Sequence, residues 1–195
     1  MARKSGSYSE ITGPKVKGAA LKLFAEYGYA AVSMRQIARE VQVQVGTLYL
    51  YTSNKQNLLF DLLQDHMTQL LAALKKSQQP KPPTEQLREF CRFHIFYHLD
   101  RADAVFISYM ELRNLNDENF RLIENLRREY ENQLEVILSA GQSEGVFAVE
   151  DTKITTLALI AMLTGVTTWY RQDGRLSRDH IEQVYWEMIK KLVGV

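Results

Sequence analysis

The stretch that decides the fold is Ser33-Met-Arg-Gln-Ile-Ala-Arg-Glu-Val-Gln-Val-Gln-Val-Gly-Thr-Leu-Tyr-Leu-Tyr-Thr-Ser-Asn-Lys55. It reads as two short helices joined by a tight turn, followed by the start of a third helix. The second short helix carries small, polar and aromatic residues where a solvent-facing helix would carry charges. A helix that lies in the DNA major groove has this composition, so the stretch indicates nucleic-acid binding.

Helix signals surround this stretch. Ser33 precedes Gln36 by three residues, which is the capping-box spacing at a helix start. Ser53 and Gln56 repeat that spacing ahead of a long apolar stripe. On the N-terminal side, an apolar stripe ends at Gly28, a residue that commonly stops helices.

The rest of the chain fits a hydrophobic period near 3.6, and no segment shows sustained alternation with a period of two. We therefore predict an all-α protein of about nine helices. Three prolines within residues 80–83 mark 75–83 as the clearest linker. The predicted helices cover about 10–27, 33–41, 45–51, 53–75, 84–99, 102–115, 117–143, 152–171 and 177–192.

Charge is distributed unevenly along the 195 residues. Residues 1–55 carry a net charge of +5 and the remainder carries −4, although the whole chain is only +1. This asymmetry suggests a basic N-terminal module that meets a polyanion; chance clustering of surface lysines is the alternative. A single cysteine, Cys91, and an N-terminus without an apolar signal core fit the cytoplasm. The longest apolar run, 154–170, is too rich in threonine for a membrane span.

The second short helix supplies candidate DNA contacts. Val45, Gly46 and Thr47 are small enough for a backbone to approach base edges. Gly46 costs about 1 kcal/mol of helix propensity relative to alanine, which suggests a close approach to another molecule. Further candidates for contacts to the phosphate backbone are Ser33, Arg35, Tyr49, Tyr51 and Lys55. The alternative is a three-helix packing unit with half-buried tyrosines.

The block from Val16 to Leu59 resembles the N-terminal domain of the TetR family of bacterial transcriptional repressors. The resemblance implies that Gln44, Val45, Gly46 and Tyr49 face bases, and that Ser33, Thr47, Tyr51 and Lys55 meet phosphates. The residues that match the family pattern are Ala20, Phe24, Gly28, Tyr29, Ser33, Ile37, Ala38, Val43, Gly46, Thr47, Leu48, Tyr49, Tyr51, Lys55 and Leu58.

Two positions depart from this family pattern. The family usually has glycine in the turn where this chain has Gln42, and an aromatic residue where it has Thr52. A residue other than glycine is uncommon at positive φ, so Gln42 bears on the angle of the second short helix.

Aromatic and apolar residues in the body are candidates for lining an effector cavity, and most such residues are ordinary core. Those candidates are Phe93, Phe96, Tyr97, Phe106, Tyr109, Met110, Phe120 and Tyr130. Arginine suits phosphate and carboxylate groups, and four arginines cluster in sequence: Arg113, Arg121, Arg127 and Arg128. Pairing with nearby glutamates at helical spacing is the alternative role for these arginines.

The C-terminal half resembles a TetR subgroup that represses fatty-acid, steroid and aromatic-acid degradation and senses acyl-CoA thioesters. The features are Glu111-Leu-Arg, Arg127-Arg-Glu-Tyr-Glu, Gly145-Val-Phe and Trp169-Tyr-Arg-Gln-Asp-Gly-Arg-Leu-Ser177. The resemblance implies an effector with an apolar acyl part and an anionic CoA part. The predicted ligand contacts are Phe93, Tyr97, Phe106, Tyr109, Met110, Arg113, Arg127, Tyr130 and Trp169.

The last two predicted helices, 152–171 and 177–192, carry more apolar surface than one protomer can cover. We therefore predict a homodimer through these two helices, which would present two recognition helices to a palindromic operator. The predicted domains are a helix-turn-helix DNA-binding domain at 1–55 and a ligand-binding and dimerisation domain at 56–195.

Three other functions compete with this interpretation. His94 and His98 have the i, i+4 spacing of metal ligands, but only Cys91 and Asp100 lie near them in sequence, so no metal or cofactor is expected. A multidrug-efflux repressor would need a buried carboxylate for cationic aromatic compounds, for which Glu111 or Glu129 is the candidate. A helical enzyme or interaction module without DNA binding is the third, although no catalytic motif is present.

Overall fold

The computed structural model describes residues 6–195, with side chains from residue 12 onward. Every regular element in this part of the chain is helical, which confirms the all-α prediction. None of its helices is long and apolar enough to cross a membrane. The elements are α1 (Gly6–Tyr27), α2 (Met34–Glu40), α3 (Val45–Leu48), α4 (Lys55–Ser77), α5 (Pro83–Leu99), α6 (Ala102–Met110), a 3-10 turn (Leu112–Asn114), α7 (Asp117–Ser143), α8 (Thr152–Thr164), α9 (Val166–Trp169) and α10 (Arg178–Val193).

Several predicted capping residues begin helices in the structure. Ser33 forms the capping box: its Oγ accepts the Gln36 N–H at 3.3 Å, and Gln36 Oε1 accepts the Ser33 N–H at 2.7 Å. Asp151 and Ser177 likewise accept the N–H group three residues further on, at 2.9 and 3.2 Å. Each of these side chains satisfies a backbone donor that the first helical turn leaves without a partner.

Several local predictions are wrong. The predicted helix over 45–51 ends at Leu48, and the one over 102–115 ends at Met110 and is followed by the 3-10 turn. The residue that caps α4 is Asn54, whose Oδ1 accepts the Asn57 N–H at 2.8 Å, and not Ser53. The predicted helix over 152–171 is interrupted, because α8 ends at Thr164 and the short α9 follows Gly165. The apolar periodicity of the sequence continues across this break, so the periodicity does not reveal where α8 ends.

The chain forms two compact units. Unit 1 comprises the residues up to Met67 together with Asp103–Ile123, and unit 2 comprises Thr68–Ala102 together with Glu124–Val195. Both α4 and α7 contribute residues to each unit. The predicted domain boundary after residue 55 therefore stays a prediction, while the contacts group α1–α3 with part of α4 and with segment 103–123.

Unit 1 has a core that fixes the two short helices. Leu48, the only fully buried residue of α3, packs inside this core, so one apolar anchor holds a helix of four residues. A helix this short has no stability of its own. The buried residues are Val16, Ala20 and Phe24 from α1, Ile37 and Ala38 from α2, Leu48 from α3, and Leu58, Leu59 and Leu63 from α4.

Unit 2 packs α5 against α8 and α10 around a second core. A buried carboxylate, Glu182 of α10, lies 3.6 Å from Arg88 Nε and 3.5 Å from Arg92 Nη1 of α5. Because a buried carboxylate is costly without partners, this pair of arginines fixes how α10 lies on α5. The fully buried core residues include Leu87, Ile95, Leu134, Leu138, Leu159, Leu163 and Ile189.

The turn between α2 and α3 requires a left-handed residue. Gln42 has φ of +58°, and it is the only residue other than glycine with positive φ in the described part of the chain. The Val43 N–H then reaches back to the Ala38 carbonyl at 2.9 Å, which closes the end of α2. The departure from the family's glycine at this position thus leaves the turn geometry in place at a conformational cost.

Replacing this residue should stabilise the protein. We expect Gln42→Gly to raise the free energy of unfolding by about 1 kcal/mol, because glycine adopts positive φ without the steric cost of a Cβ. Urea unfolding followed by circular dichroism measures the change. The matched control is Gln44→Gly, where φ is −70° and ψ is 145°; this substitution should destabilise. A Gln42→Gly protein no more stable than the wild type would contradict the assignment of strain.

Candidate DNA interface and effector-binding residues

The surface of α3 combines a buried anchor with an exposed, uncharged face. Leu48 is buried, whereas Gly46 is exposed and Val45 and Thr47 are half-buried. At its C-terminal end, Tyr49 is 52 % exposed and Leu50 is 79 % exposed. The face therefore offers apolar and hydroxyl groups to another molecule.

Gly46 is not required by the fold. It lies in α3, and a Cβ placed on it would meet no atom within 4 Å apart from the neighbouring residues and the backbone of its own helix. A glycine in a helix interior is destabilising relative to alanine, so the structure gives no internal reason for it. An external partner that approaches the backbone at this point gives such a reason.

Polar and charged residues border this face. Arg35 on α2 is exposed, as is the side chain of Gln44, which makes no hydrogen bond that would cap α3. Beside them, α1 and the end of α2 line a groove with Lys15, Lys22, Glu40 and Gln42 among its residues. The groove therefore carries two lysines and one glutamate on its surface.

Lys55 holds the turn that joins α1 to α2. Its Nζ donates to the carbonyl oxygens of Tyr29 at 2.9 Å and of Val32 at 2.8 Å, and lies 4.2 Å from the centroid of the Tyr29 ring. Desolvation lowers the pKa of Lys55, while the charge of Glu111 acts in the opposite direction. An ammonium has three N–H donors, so one remains for the predicted phosphate contact.

The remaining predicted DNA contacts, Tyr51 and Ser33, are engaged inside the protein. Tyr51 is half-buried, and a Cβ at Gly13 of α1 would lie 3.5 Å from its Cδ1. The Ser33 side chain is exposed but is occupied by the capping box, in which its Oγ also donates to Gln36 Oε1 at 2.8 Å. The roles of these residues toward DNA stay predictions.

Some of the predicted effector residues meet in unit 2. The rings of Phe93 and Tyr97 on α5 have centroids 5.3 Å apart. Burial raises the pKa of Tyr97, and the charge of Arg101 acts in the opposite direction. Tyr130 of α7 is buried, and its hydroxyl lies 2.9 Å from His94 Nδ1. Trp169 of α9, by contrast, is exposed.

The two histidines of α5 form part of a buried polar cluster. The His94 and His98 rings stack 3.8 Å apart, and His98 Nδ1 donates to the His94 carbonyl at 2.8 Å. His94 Nε2 lies 3.0 Å from Thr164 Oγ1, so both of its ring nitrogens are engaged. Desolvation, followed by the neighbouring His98, lowers the pKa of His94 well below its ordinary value. In the described residues, no group of three His, Cys, Asp or Glu side chains is arranged to hold a metal ion.

Other predicted effector residues belong to unit 1. Phe106, Tyr109 and Met110 of α6 are exposed, and so is Arg113 in the 3-10 turn that follows. This segment thus presents an aromatic and apolar surface next to a cation.

The arginines of α7 behave differently from one another. Arg128 pairs with Glu124 at 3.1 Å with i, i+4 spacing, which is the structural role considered for this cluster. Arg127 is half-buried. The predicted effector contacts therefore do not gather into one site within a single unit, and they stay predictions.

No local pattern in the sequence predicts the contact that Glu111 makes. Its Oε1 accepts the Tyr29 N–H at 3.0 Å, across 82 residues of sequence. Its Oε2 accepts the Asn114 side-chain amide at 2.5 Å. Glu111 was a candidate ligand for cationic compounds, but its two oxygens are occupied inside unit 1.

Two family models match this chain. The model described as "Bacterial regulatory proteins, tetR family" matches residues 18–62, and "Tetracyclin repressor-like, C-terminal domain" matches 80–193. The chain belongs to the TetR family. Members of this family are ligand-responsive transcriptional repressors that bind operator DNA as dimers. The protein is therefore a DNA-binding regulator and not an enzyme.

Three known proteins illustrate what this chain is similar to. The Fatty acid metabolism regulator protein of Bacillus subtilis is 27 % identical over 176 residues, which cover 89 % of this chain and 88 % of the relative. A tetR-family regulatory protein from Rhodococcus RHA1 has the same fold, with a TM-score of 0.88 at 24 % identity over 94 % of this chain and 97 % of the other. AibR, solved in complex with isovaleryl coenzyme A and operator DNA, has a TM-score of 0.82 at 25 % identity over 93 % and 97 % of the two chains.

Adding a methyl group at Gly46 of α3 should affect stability and DNA binding in opposite directions. We expect Gly46→Ala to raise the stability of the protein by about 0.5–1 kcal/mol, because alanine is the better helix former. The same variant should bind operator DNA at least about tenfold more weakly, because its methyl group lies between the helix backbone and the bases. Urea unfolding and fluorescence anisotropy with operator DNA measure the two effects.

The control is Gly18→Ala in α1, where a Cβ also meets no atom within 4 Å. That variant should gain stability and keep its operator affinity. A Gly46→Ala protein with wild-type operator affinity would mean that this face of α3 does not approach DNA.

Proposed function

We propose that this protein is a homodimeric repressor that binds a palindromic operator through α3 and is released from it by an acyl-CoA thioester. The observation that carries the DNA part is the empty space over Gly46 on an exposed, uncharged helix face that ends at the exposed Tyr49. A recognition helix needs such a face for base contacts, with cations at its border for phosphates. We place this activity in the cytoplasm, with the chromosome.

Exposed apolar faces on two helices of unit 2 support a dimer. On α10, Val184, Met188 and Leu192 follow each other at intervals of four residues and are all exposed. They lie on a different side of the helix from the buried Ile189 and Val193. On α8, the exposed apolar residues are Ile154, Leu157, Ala158 and Ala161. A second copy of the chain that packs on these faces would remove them from water.

The effector class rests on residues of this chain and on its relatives. An acyl-CoA has an apolar tail and several phosphates, and the predicted contacts combine aromatic residues with arginines. Arg113 in the 3-10 turn is exposed and Arg127 of α7 is half-buried, and these two arginines are proposed for the anionic part. The relatives support the class through a fatty acid metabolism regulator and a complex with isovaleryl coenzyme A.

A repressor of multidrug efflux is the weaker alternative. It would need a buried carboxylate that faces a cationic ligand. Glu111 is buried, but its oxygens accept hydrogen bonds from Tyr29 and Asn114, and Glu129 is exposed. Neither carboxylate is thus placed to receive such a ligand.

A charge on the apolar face of α10 should break the dimer. We expect Met188→Glu to sediment as a monomer in analytical ultracentrifugation, because an interface does not bury two unpaired carboxylates without a large cost. The control is Gln183→Glu, an exposed position on the polar side of the same helix. A Met188→Glu protein that remains dimeric at micromolar concentration would place the interface elsewhere.

The effector proposal is tested by operator release. Isovaleryl-CoA or palmitoyl-CoA should weaken operator binding in an anisotropy assay at least about fivefold, a usual size for allosteric coupling. Free CoA, the free acids and the cation tetraphenylphosphonium should have no effect.

Variants that remove single arginine charges test which residues bind the anionic part of the ligand. Arg113→Gln and Arg127→Gln should reduce the thioester effect, while Arg128→Gln, whose wild-type side chain pairs with Glu124, should retain it. Release by the phosphonium or the free acids, and not by thioesters, would overturn the effector class.

A further inference from the structure

The turn between α1 and α2 is held from two sides by charged groups. Lys55 donates to the carbonyl oxygens of Tyr29 and Val32. On the same residue, the Tyr29 N–H donates to Glu111 Oε1. The backbone of Tyr29 thus connects the first residue of α4 to the end of α6.

Glu111 is buried, so its carboxylate depends on hydrogen bonds from the protein in place of water. Glu111 is only 8 % exposed. Its Oε1 accepts a hydrogen bond from the Tyr29 N–H, and its Oε2 accepts one from the Asn114 side-chain amide. Hydrogen bonds to a charged acceptor are about twice as strong as neutral ones. Because a buried carboxylate loses its hydration, these two bonds are held tightly.

A second contact joins the same two parts of unit 1. Gln56 Nε2, one residue after Lys55, donates to the Asn114 carbonyl at 2.6 Å. Asn114 also donates to Glu111, so the 3-10 turn is linked to α4 and to the α1–α2 turn by one short network. Beyond Tyr29, the chain runs through Val32 to Ser33, which caps α2.

The segment that carries Glu111 also carries predicted effector contacts. Tyr109 and Met110 precede it and Arg113 follows it, and all three are exposed. A ligand that shifts this segment would therefore displace the carboxylate that holds the Tyr29 N–H. All of these groups belong to unit 1.

We propose that Glu111 is the positioning residue through which segment 103–123 orients the helix-turn-helix, so that a ligand on this segment controls operator binding through the Tyr29 peptide. This inference rests on the proposed function, because it requires a dimer that binds two half-sites. The consequence concerns the spacing of the two helix-turn-helix units in the dimer. When both units are held in a fixed orientation, both can engage one operator. When they are held loosely, the effective concentration of the second unit at its half-site falls.

The test compares a full palindromic operator with the same DNA in which one half-site is scrambled. The operator is first obtained by selection from random DNA with the wild-type protein. The variant is Glu111→Met, which keeps the size and burial of the side chain and removes the acceptor for the Tyr29 N–H. Glu111→Gln, which keeps an oxygen acceptor, is the conservative variant, and the exposed Glu118→Met is the control.

We expect Glu111→Met to lose about tenfold or more of the ratio of full-site to half-site affinity, with half-site affinity changed less than about twofold. Glu111→Gln and Glu118→Met should keep most of the wild-type ratio. Equal losses on both DNAs would mean that Glu111 only supports the fold of the helix-turn-helix, and the inference would be wrong. An unchanged ratio in Glu111→Met would also overturn it. A wild-type ratio of one would instead refute the dimeric repressor, and the inference would fall with it.

Discussion

The ammonium group of Lys55 is the contact on which unit 1 depends. It donates to two backbone carbonyls of the α1–α2 turn, and so joins the first turn of α4 to the segment that leads into α2. Backbone carbonyls that lose their partner away from water cost free energy comparable to a lost hydrogen bond. The ring of Tyr29 adds a cation–π contact to the same group. Through these contacts α2 and α3 are placed relative to α4, which continues into unit 2.

The DNA recognition proposed for α3 and the stability of this helix make opposite demands. Recognition requires an exposed surface of small residues, and the helix has only four residues, with Leu48 as its buried anchor. The fold meets this conflict by building rigidity around the helix. The turn at Gln42, the capping box at Ser33 and the buried face of α2 all hold the approach to α3.

Local patterns in the sequence predicted what local interactions determine. The capping box of Ser33, the caps at Asp151 and Ser177, and the special turn at Gln42 are each set by residues within a few positions. The apolar stripes of α1, α2 and α4 likewise contain the residues that are buried in the core of unit 1. The family pattern then located the DNA-binding region, and the family models confirm it.

Long-range contacts were beyond that reasoning. Periodicity placed Glu111 inside the predicted helix over 102–115, and nothing nearby in sequence indicates that its carboxylate accepts the Tyr29 N–H. Lys55 was predicted for phosphate, and the structure gives two of its donors to carbonyl oxygens, which also lie far away along the chain. The effector residues were chosen by residue type, and residue type does not distinguish the buried Tyr130 from the exposed Phe106.

The central claim is that an effector controls the spacing of two oriented helix-turn-helix units. Spin labels on Glu40→Cys, an exposed position at the end of α2, measure that spacing in the dimer by pulsed electron resonance. The native Cys91 is buried and desolvation raises the pKa of its thiol, so it should resist labelling. With operator DNA we expect one narrow distance distribution, matching recognition helices about 34–36 Å apart. Isovaleryl-CoA should broaden this distribution and shift it to longer distances as DNA is released. Release with an unchanged distribution would contradict the account.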